Sequence, residues 1–346
     1  MQNDIITQDE LRRLTELIAD SQIIVCVCHQ NPDGDALGSM LGWAECLRTI
    51  YSKDVYVVAP DQSPDFLHWL PGSERIIRYD KHPDRCNALL GDADLVFLLD
   101  LNTLSRTGEI GNLIAASPAR KMLIDHHLGP DVDCDIMLSR PDASSTCELV
   151  FRLVWQMGLY ERMNRLFAAQ IYCGMMTDTG AFTFGNCTPD VFFIVGQLIA
   201  KGIDRNRIYR NVFHTFSENR LRLQGFLMYE RLVVDTRRHA SYYALSREDM
   251  KRFSFVKGDA EGVVNLPLQI KGHKLSISLR EDTEKDNVVW VSLRSVDKFP
   301  CNEMAQRFFN GGGHLNASGG RLDCSLADAI VVAKQAIESY AELLES

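Results

Sequence analysis

Two kinds of apolar pattern alternate along the first half of the chain. Uninterrupted apolar runs occur at IIVCVC just before His29, at Val55–Ala59, at Leu95–Asp100 and at Met122–Asp125. Between them, apolar and polar positions recur at helical spacing, over Ala36–Ile50, from Asn102 through Ala116, and over Ala143–Trp155, Arg162–Met176 and Pro189–Lys201. Strands with no polar alternation are those buried on both faces, and their alternation with helices implies βαβ units and a parallel sheet. The amino-terminal MQNDIITQDELRRL reads as an amphipathic helix, and Asn211–Tyr229 as a long connecting helix.

The pattern then changes. KLSISLR (Lys274–Arg280) and VVWVSLR (Val288–Arg294) alternate strictly on either side of a polar EDTEKDN turn. Leu275, Ile277 and Leu279 share one face, as do Val289, Val291 and Leu293, and those faces are expected to be core. A helix over Asn302–Phe309 and the glycine-rich NGGGH and ASGG segments follow. The expected organisation is an α/β parallel-sheet domain over 1–202, a helical linker over 203–236 and a smaller α/β domain over 237–346.

A length of 346 residues suits two domains, and 46% hydrophobic with 24% charged residues is ordinary for a globular protein. No apolar run reaches the roughly 18 residues of a membrane helix, and the amino terminus lacks the basic and apolar regions of a signal peptide. The ten cysteines sit largely inside apolar segments without a C-x-x-C pair. They read as free thiols, and hence as a sign of a reducing cytoplasm.

Net charge is −9, but residues 237–346 hold 15 of the 37 basic and 15 of the 46 acidic side chains, so the acidic excess is confined to 1–236. A binder of long duplex DNA would show a broad basic face instead. Bound divalent cations would offset such an excess.

The candidate chemistry lies where the apolar runs stop. The first ends in His29 and the loop carrying Asp33 and Asp35, the third in Asp100, the fourth in Asp125-His126-His127. In a parallel sheet these ends share one edge, the edge at which ligands bind. Carboxylate oxygen and imidazole nitrogen suit hard or borderline divalent cations. One Asp-Gly turn is ordinarily just solvated; three convergent ends favour a metal site. Asp178, in the turn-like TDTG, is a fourth carboxylate. In the second half, Arg280 and Arg294 beside successive glycines and His314 point to phosphate capture through guanidinium groups and backbone N–H groups.

Together HQNPDGDALGS, Asp100, Asp125-His126-His127, GMMTDTGAF and GGGHLNASGG resemble, in order and over nearly the whole chain, the DHH/DHHA1 phosphoesterase superfamily. Within it they are similar to the bifunctional oligoribonuclease and pAp phosphatase group (the nanoRNase A type). The departures are small: Leu-Asn follows Asp100, and Ala-Ser-Gly stands where Ala-Ala-Gly is commoner. The resemblance implies an active site between a DHH and a DHHA1 domain, with two divalent ions, Mn²⁺ or Mg²⁺. His29, Asp33 and Asp100 would hold one ion; Asp35, Asp100, His126 and Asp178 the other.

The resemblance further implies that Asp125 orients a histidine, that His127 contacts the scissile phosphate or protonates the leaving oxygen, and that Arg106 faces the phosphate. Arg280, Arg294, Gly312, Gly313 and His314 would grip the nucleotide. The implied substrates are short RNA or pAp, with no membrane partner, and a homodimer is compatible with the family. Competing readings are a linear or cyclic dinucleotide phosphodiesterase, a RecJ-like exonuclease, an inorganic pyrophosphatase or exopolyphosphatase, and a non-catalytic nucleotide sensor.

Overall fold

Strands that are apolar on both faces need helices on both, and the chain supplies them. The computed structural model describes residues 4–256 and 258–345. In chain order the first part contains α1 (Gln8–Asp20), β1 (Ile23–Val27), α2 (Gly34–Tyr51), β2 (Asp54–Ala59), β3 (Ile77–Arg78), α3 (Pro83–Asp92) and β4 (Leu95–Leu99). There follow α4 (Ile110–Ala116), β5 (Arg120–Asp125), β6 (Ile136–Ser139), α5 (Thr146–Gln156), α6 (Arg165–Asp178), α7 (Pro189–Ala200) and α8 (Arg205–Phe213). The first three residues of the expected amino-terminal helix lie outside the described residues; from Thr7, which caps α1 in a box with Glu10, the helix is present.

The six strands form one parallel sheet in the order β3-β2-β1-β4-β5-β6. Ile24, Cys26 and Phe97 pack with α1, α2, α5 and α6 on one face, whereas Val25, Val27, Val96 and Leu98 pack with α3 and α4 on the other. This is the doubly wound order in which the winding of successive strands reverses between β1 and β4, so a crevice opens at their carboxyl ends. The short edge strands β3 and β6 carry too few residues to stand out in the sequence pattern.

The chain divides into two compact units between Thr215 and Phe216. The division falls within residues 203–236, which form no single long helix. Helix α8 stops at Phe213, and α9 (Glu218–Phe226) restarts because the Ser217 side chain accepts from the Arg220 N–H. Ile208 and Val212 of α8 belong to the first core, and Leu223 of α9 to the second unit's own cluster with Tyr243 and Val263.

The second unit continues with β7 (Val233–Asp235), β8 (Ala240–Leu245), α10 (Arg247–Arg252), β9 (Leu275–Glu281), β10 (Val289–Ser295), α11 (Cys301–Phe308), β11 (Gly312–His314), β12 (Ala317–Leu322), α12 (Leu326–Ser339) and α13 (Ala341–Glu345). Its sheet runs β11-β12-β10-β9-β8-β7, with only β8 and β9 parallel. Leu275, Ile277, Leu279, Val289, Val291 and Leu293 all enter one core against α11 and α12, as their alternation predicts. Among the described residues no helix is long and apolar enough to cross a membrane.

Candidate metal centre

The edge expected to gather ligands does so. Asp33 caps α2, one carboxylate oxygen accepting from the N–H groups of Asp35 and Ala36 at 3.0 Å each. Asp100 follows β4 with φ of +61°, a left-handed conformation that aspartate tolerates better than most residues. Asp125 closes β5, and His126 and His127 follow it. Asp178 is the last residue of α6 rather than part of a free turn; the turn comes after it, through Gly180, Ala181 and Phe182, all with positive φ.

Glycines let these elements meet. A Cβ on Gly38 of α2 would lie 2.6 Å from the Gln170 carbonyl oxygen, and one on Gly174 of α6 would lie 2.3 Å from Cys147 Sγ of α5. Larger residues would push α2, α5 and α6 apart just where Asp35 is held.

Asp100 is the shared member of three clusters whose ligand atoms lie within 4.8 Å of one another: with His29 and Asp33, with Asp35 and His126, and with Asp125 and His127. Its Oδ2 lies 3.3 Å from His29 Nε2, and its Oδ1 lies 3.6 Å from His126 Nε2. His126 Nε2 is also 3.2 Å from Asp178 Oδ2 and 3.9 Å from Asp35 Oδ2.

The imidazole tautomers follow from their backs. His29 Nδ1 lies 2.7 Å from the Gln30 carbonyl oxygen and His126 Nδ1 lies 3.3 Å from that of Ala143. A carbonyl only accepts, so each Nδ1 carries a proton and each Nε2 faces the carboxylates, as metal-ligating histidines are held. His127 is turned differently: its Nδ1 is 2.7 Å from Asp125 Oδ1, and its N–H donates to Asp125 Oδ2 at 3.0 Å. Asp125 therefore orients His127, while His126 is held by a carbonyl.

The centre is buried and short of positive charge. Asp35 and Asp100 are almost wholly inaccessible, as are His29 and His126. Burial pushes Asp35 well above the usual carboxylate range, and the neighbouring charges of Asp100 and Asp178 add to it. Burial opposes the charged form of His126, yet the carboxylates of Asp178, Asp100 and Asp35 hold it well above the usual imidazole range. Burial also acts to raise Asp100, but the His29 hydrogen bond and the charges of His127, His29 and His126 outweigh it and hold the group well below its usual range. Acids packed this closely, with imidazole nitrogens turned inward, fit divalent cations in donor type. Among the described residues, Arg106 Nη1 is buried without a hydrogen-bond partner, a donor available to an anion.

Residues 23–175 match the model of the DHH family, N-terminal domain, and residues 244–342 match that of the DHHA1 domain. The chain belongs to the DHH/DHHA1 phosphoesterase superfamily. Its members are metal-dependent hydrolases of phosphoric esters.

The chain is 28% identical over 333 residues to the Bacillus subtilis protein named bifunctional oligoribonuclease and PAP phosphatase NrnA, covering 93% of this chain and 99% of that one. A protein of the same name from Thermus thermophilus is 27% identical over 318 residues, covering 91% and 89%. The crystal structure of an exopolyphosphatase-related protein from Bacteroides fragilis superposes with a TM-score of 0.93 at 44% identity, covering 99% of this chain and 100% of that one.

In the second unit Arg280 on β9 and Arg294 on β10 share the sheet face opposite the core, since Trp290 pairs with Arg280 and Arg294 with Ser276. Burial depresses the Arg280 guanidinium below its usual range. The glycine run is not the open anion loop that its composition suggests. Gly312, Gly313 and His314 form the edge strand β11 of a tight hairpin, paired with Gly319, Ser318 and Ala317. Close approach explains two of the glycines: a Cβ on Gly311 would lie 1.9 Å from the Gly319 carbonyl oxygen, and one on Gly313 2.6 Å from that of Ala317.

Sequence reasoning missed what holds Asp35. The N–H of Thr146 donates to its Oδ2 at 2.6 Å and that of Cys147 to its Oδ1 at 2.8 Å. The S-S-T-C-E run does announce a helix start, but nothing in it shows where that start points.

Metal binding should release protons. His126 and Asp35 both hold protons to higher pH than usual when no metal is present, and cations bind the deprotonated forms. Apparent affinity should therefore fall as pH is lowered, by about tenfold per pH unit for each proton displaced. Titration calorimetry of Mn²⁺ in buffers of different ionisation enthalpy counts those protons. A heat independent of buffer would contradict the assignment.

Proposed function

We propose that this protein is a two-metal phosphoesterase that hydrolyses short oligoribonucleotides to mononucleotides and removes the 3′-phosphate of pAp. The observation that carries the reading is the position of Asp100, one oxygen toward His29 and the other toward His126. In this reading His29, Asp33 and Asp100 hold one ion, and Asp35, Asp100, His126 and Asp178 hold the other, with Mn²⁺ preferred over Mg²⁺. Two such cations, when bound, supply an activated water and neutralise charge on the phosphoryl oxygens.

The chain's own groups do the rest. Four carboxylates match the four positive charges of two divalent ions, so the phosphate's charge falls to arginines. Arg106 offers its unpartnered Nη1 to a phosphoryl oxygen. His127, held through Nδ1 by Asp125, presents Nε2 as the proton donor to the leaving oxygen. Arg280, Arg294, Gly312, Gly313 and His314 bind the nucleotide. The second unit brings only Arg280 and Arg294 as guanidinium groups to this task, which suits short substrates over long chains. The relatives named for oligoribonuclease and pAp phosphatase activity support this substrate class.

The competing reading is phosphoanhydride hydrolysis, favoured by the exopolyphosphatase-related neighbour. The test is purified protein with Mn²⁺ given pAp, a ribodinucleotide, a 20-nucleotide RNA, a cyclic dinucleotide and polyphosphate. Rapid turnover of dinucleotide and pAp with slow turnover of the long RNA is expected. Equal rates on dinucleotide and long RNA, or faster release from polyphosphate or the cyclic dinucleotide, would overturn the proposal.

A further inference from the structure

A carboxylate shared by two ions has to keep each oxygen turned toward its own ion. The terminal torsion of aspartate is broad, so that orientation must come from neighbours. At Asp100 the Oδ2 side is occupied by His29 Nε2 at 3.3 Å. The Oδ1 side receives the Thr146 hydroxyl, Oγ1 to Oδ1 at 3.1 Å. The same residue's N–H donates to Asp35 Oδ2.

Thr146 thus reaches two of the three carboxylates of the second ion's set, Asp35 and Asp100, from one position. That position is rigid. Thr146 is fully buried as the first residue of α5, behind the Ser145 cap, whose hydroxyl accepts from the Glu148 N–H at 3.0 Å. The amino end of a helix also carries partial positive charge, which favours the ionised form of Asp35 placed against it.

We propose that Thr146 is a positioning residue for the metal centre: its hydroxyl fixes the rotation of Asp100, while its N–H, with that of Cys147, fixes Asp35. The proposal rests on the two-metal reading and adds the device that keeps the shared carboxylate bridging. It assigns the hydroxyl specifically to the ion on the Asp35, His126 and Asp178 side. The ion held by His29 and Asp33 depends on the other oxygen of Asp100, which the hydroxyl does not touch.

Thr146→Val keeps the shape and the N–H but removes the hydroxyl, and Thr146→Ser restores it. Mn²⁺ binding to the full chain is measured by calorimetry and by electron paramagnetic resonance, with thermal melts of each variant. The expected result is that Thr146→Val weakens one of two Mn²⁺ sites by about 10–100-fold, leaves the other near its wild-type affinity, and melts cooperatively. Thr146→Ser should return to the wild-type isotherm. If Thr146→Val does not fold, Thr146→Ala serves as the variant without the hydroxyl.

Wild-type binding in the folded hydroxyl-less variant would overturn the proposal. So would a Thr146→Ser protein as weak as Thr146→Val, since a hydroxyl in place would then not hold the site. A wild-type chain that binds no Mn²⁺ would instead remove the two-metal reading, and the proposal with it.

Discussion

Asp100→Asn is expected to abolish metal-dependent hydrolysis, lowering kcat by roughly 10³-fold or more, while the fold survives. Asparagine is nearly isosteric and also tolerates the left-handed backbone that Asp100 adopts at φ of +61°. The substitution therefore tests charge and ligation rather than backbone strain. One oxygen becomes an NH₂ group that cannot ligate, so the side chain can serve one ion at most. A shared cation pair contributes several kcal/mol of transition-state stabilisation, and about 1.4 kcal/mol is a factor of ten in rate. Mn²⁺ stoichiometry should fall from two toward one, measured beside activity on a ribodinucleotide and a thermal melt. Near-normal turnover with two ions still bound would remove Asp100 from its central role.

Much of this centre was legible in the sequence for a physical reason. A strand buried on both faces has to be apolar throughout, so the residue at which polarity returns marks its end. In a parallel sheet those ends lie together. His29, Asp100 and Asp125 were visible for that reason, and the same rule locates the crevice between β1 and β4.

What was not legible depends on distant partners. Nothing local shows that the start of α5 points at Asp35, because 111 residues separate Thr146 from it. The glycine run reads as an anion loop in isolation, yet it leads into a hairpin strand, and Gly311 and Gly313 answer to backbone from 317–320. Nor did the apolar spacing over 211–229 reveal the break before Ser217. There a side-chain cap overrides the tendency of the helix to continue.

The second large effect concerns the proton rather than the metals. Asp125 uses both oxygens on His127, one on the ring and one on the backbone N–H, so Nδ1 carries a proton, and as the acid the ring carries a second on Nε2. In Asp125→Asn the amide can accept from only one of these. If its oxygen keeps the backbone N–H, its NH₂ group confronts Nδ1 and disfavours the doubly protonated, cationic ring that the acid role requires. The cost expected for a misplaced acid is about 10²–10⁴-fold in kcat on a ribodinucleotide, with Mn²⁺ binding and KM close to wild type.

The leaving group decides whether that loss is truly one of proton donation. A nitrophenyl ester departs without a proton, so Asp125→Asn and His127→Gln should both lose far less on it than on the dinucleotide. Equal losses on the two substrates would show instead that the pair positions the phosphate. His127 would then be a binding group, and proton supply would have to come from elsewhere in the site.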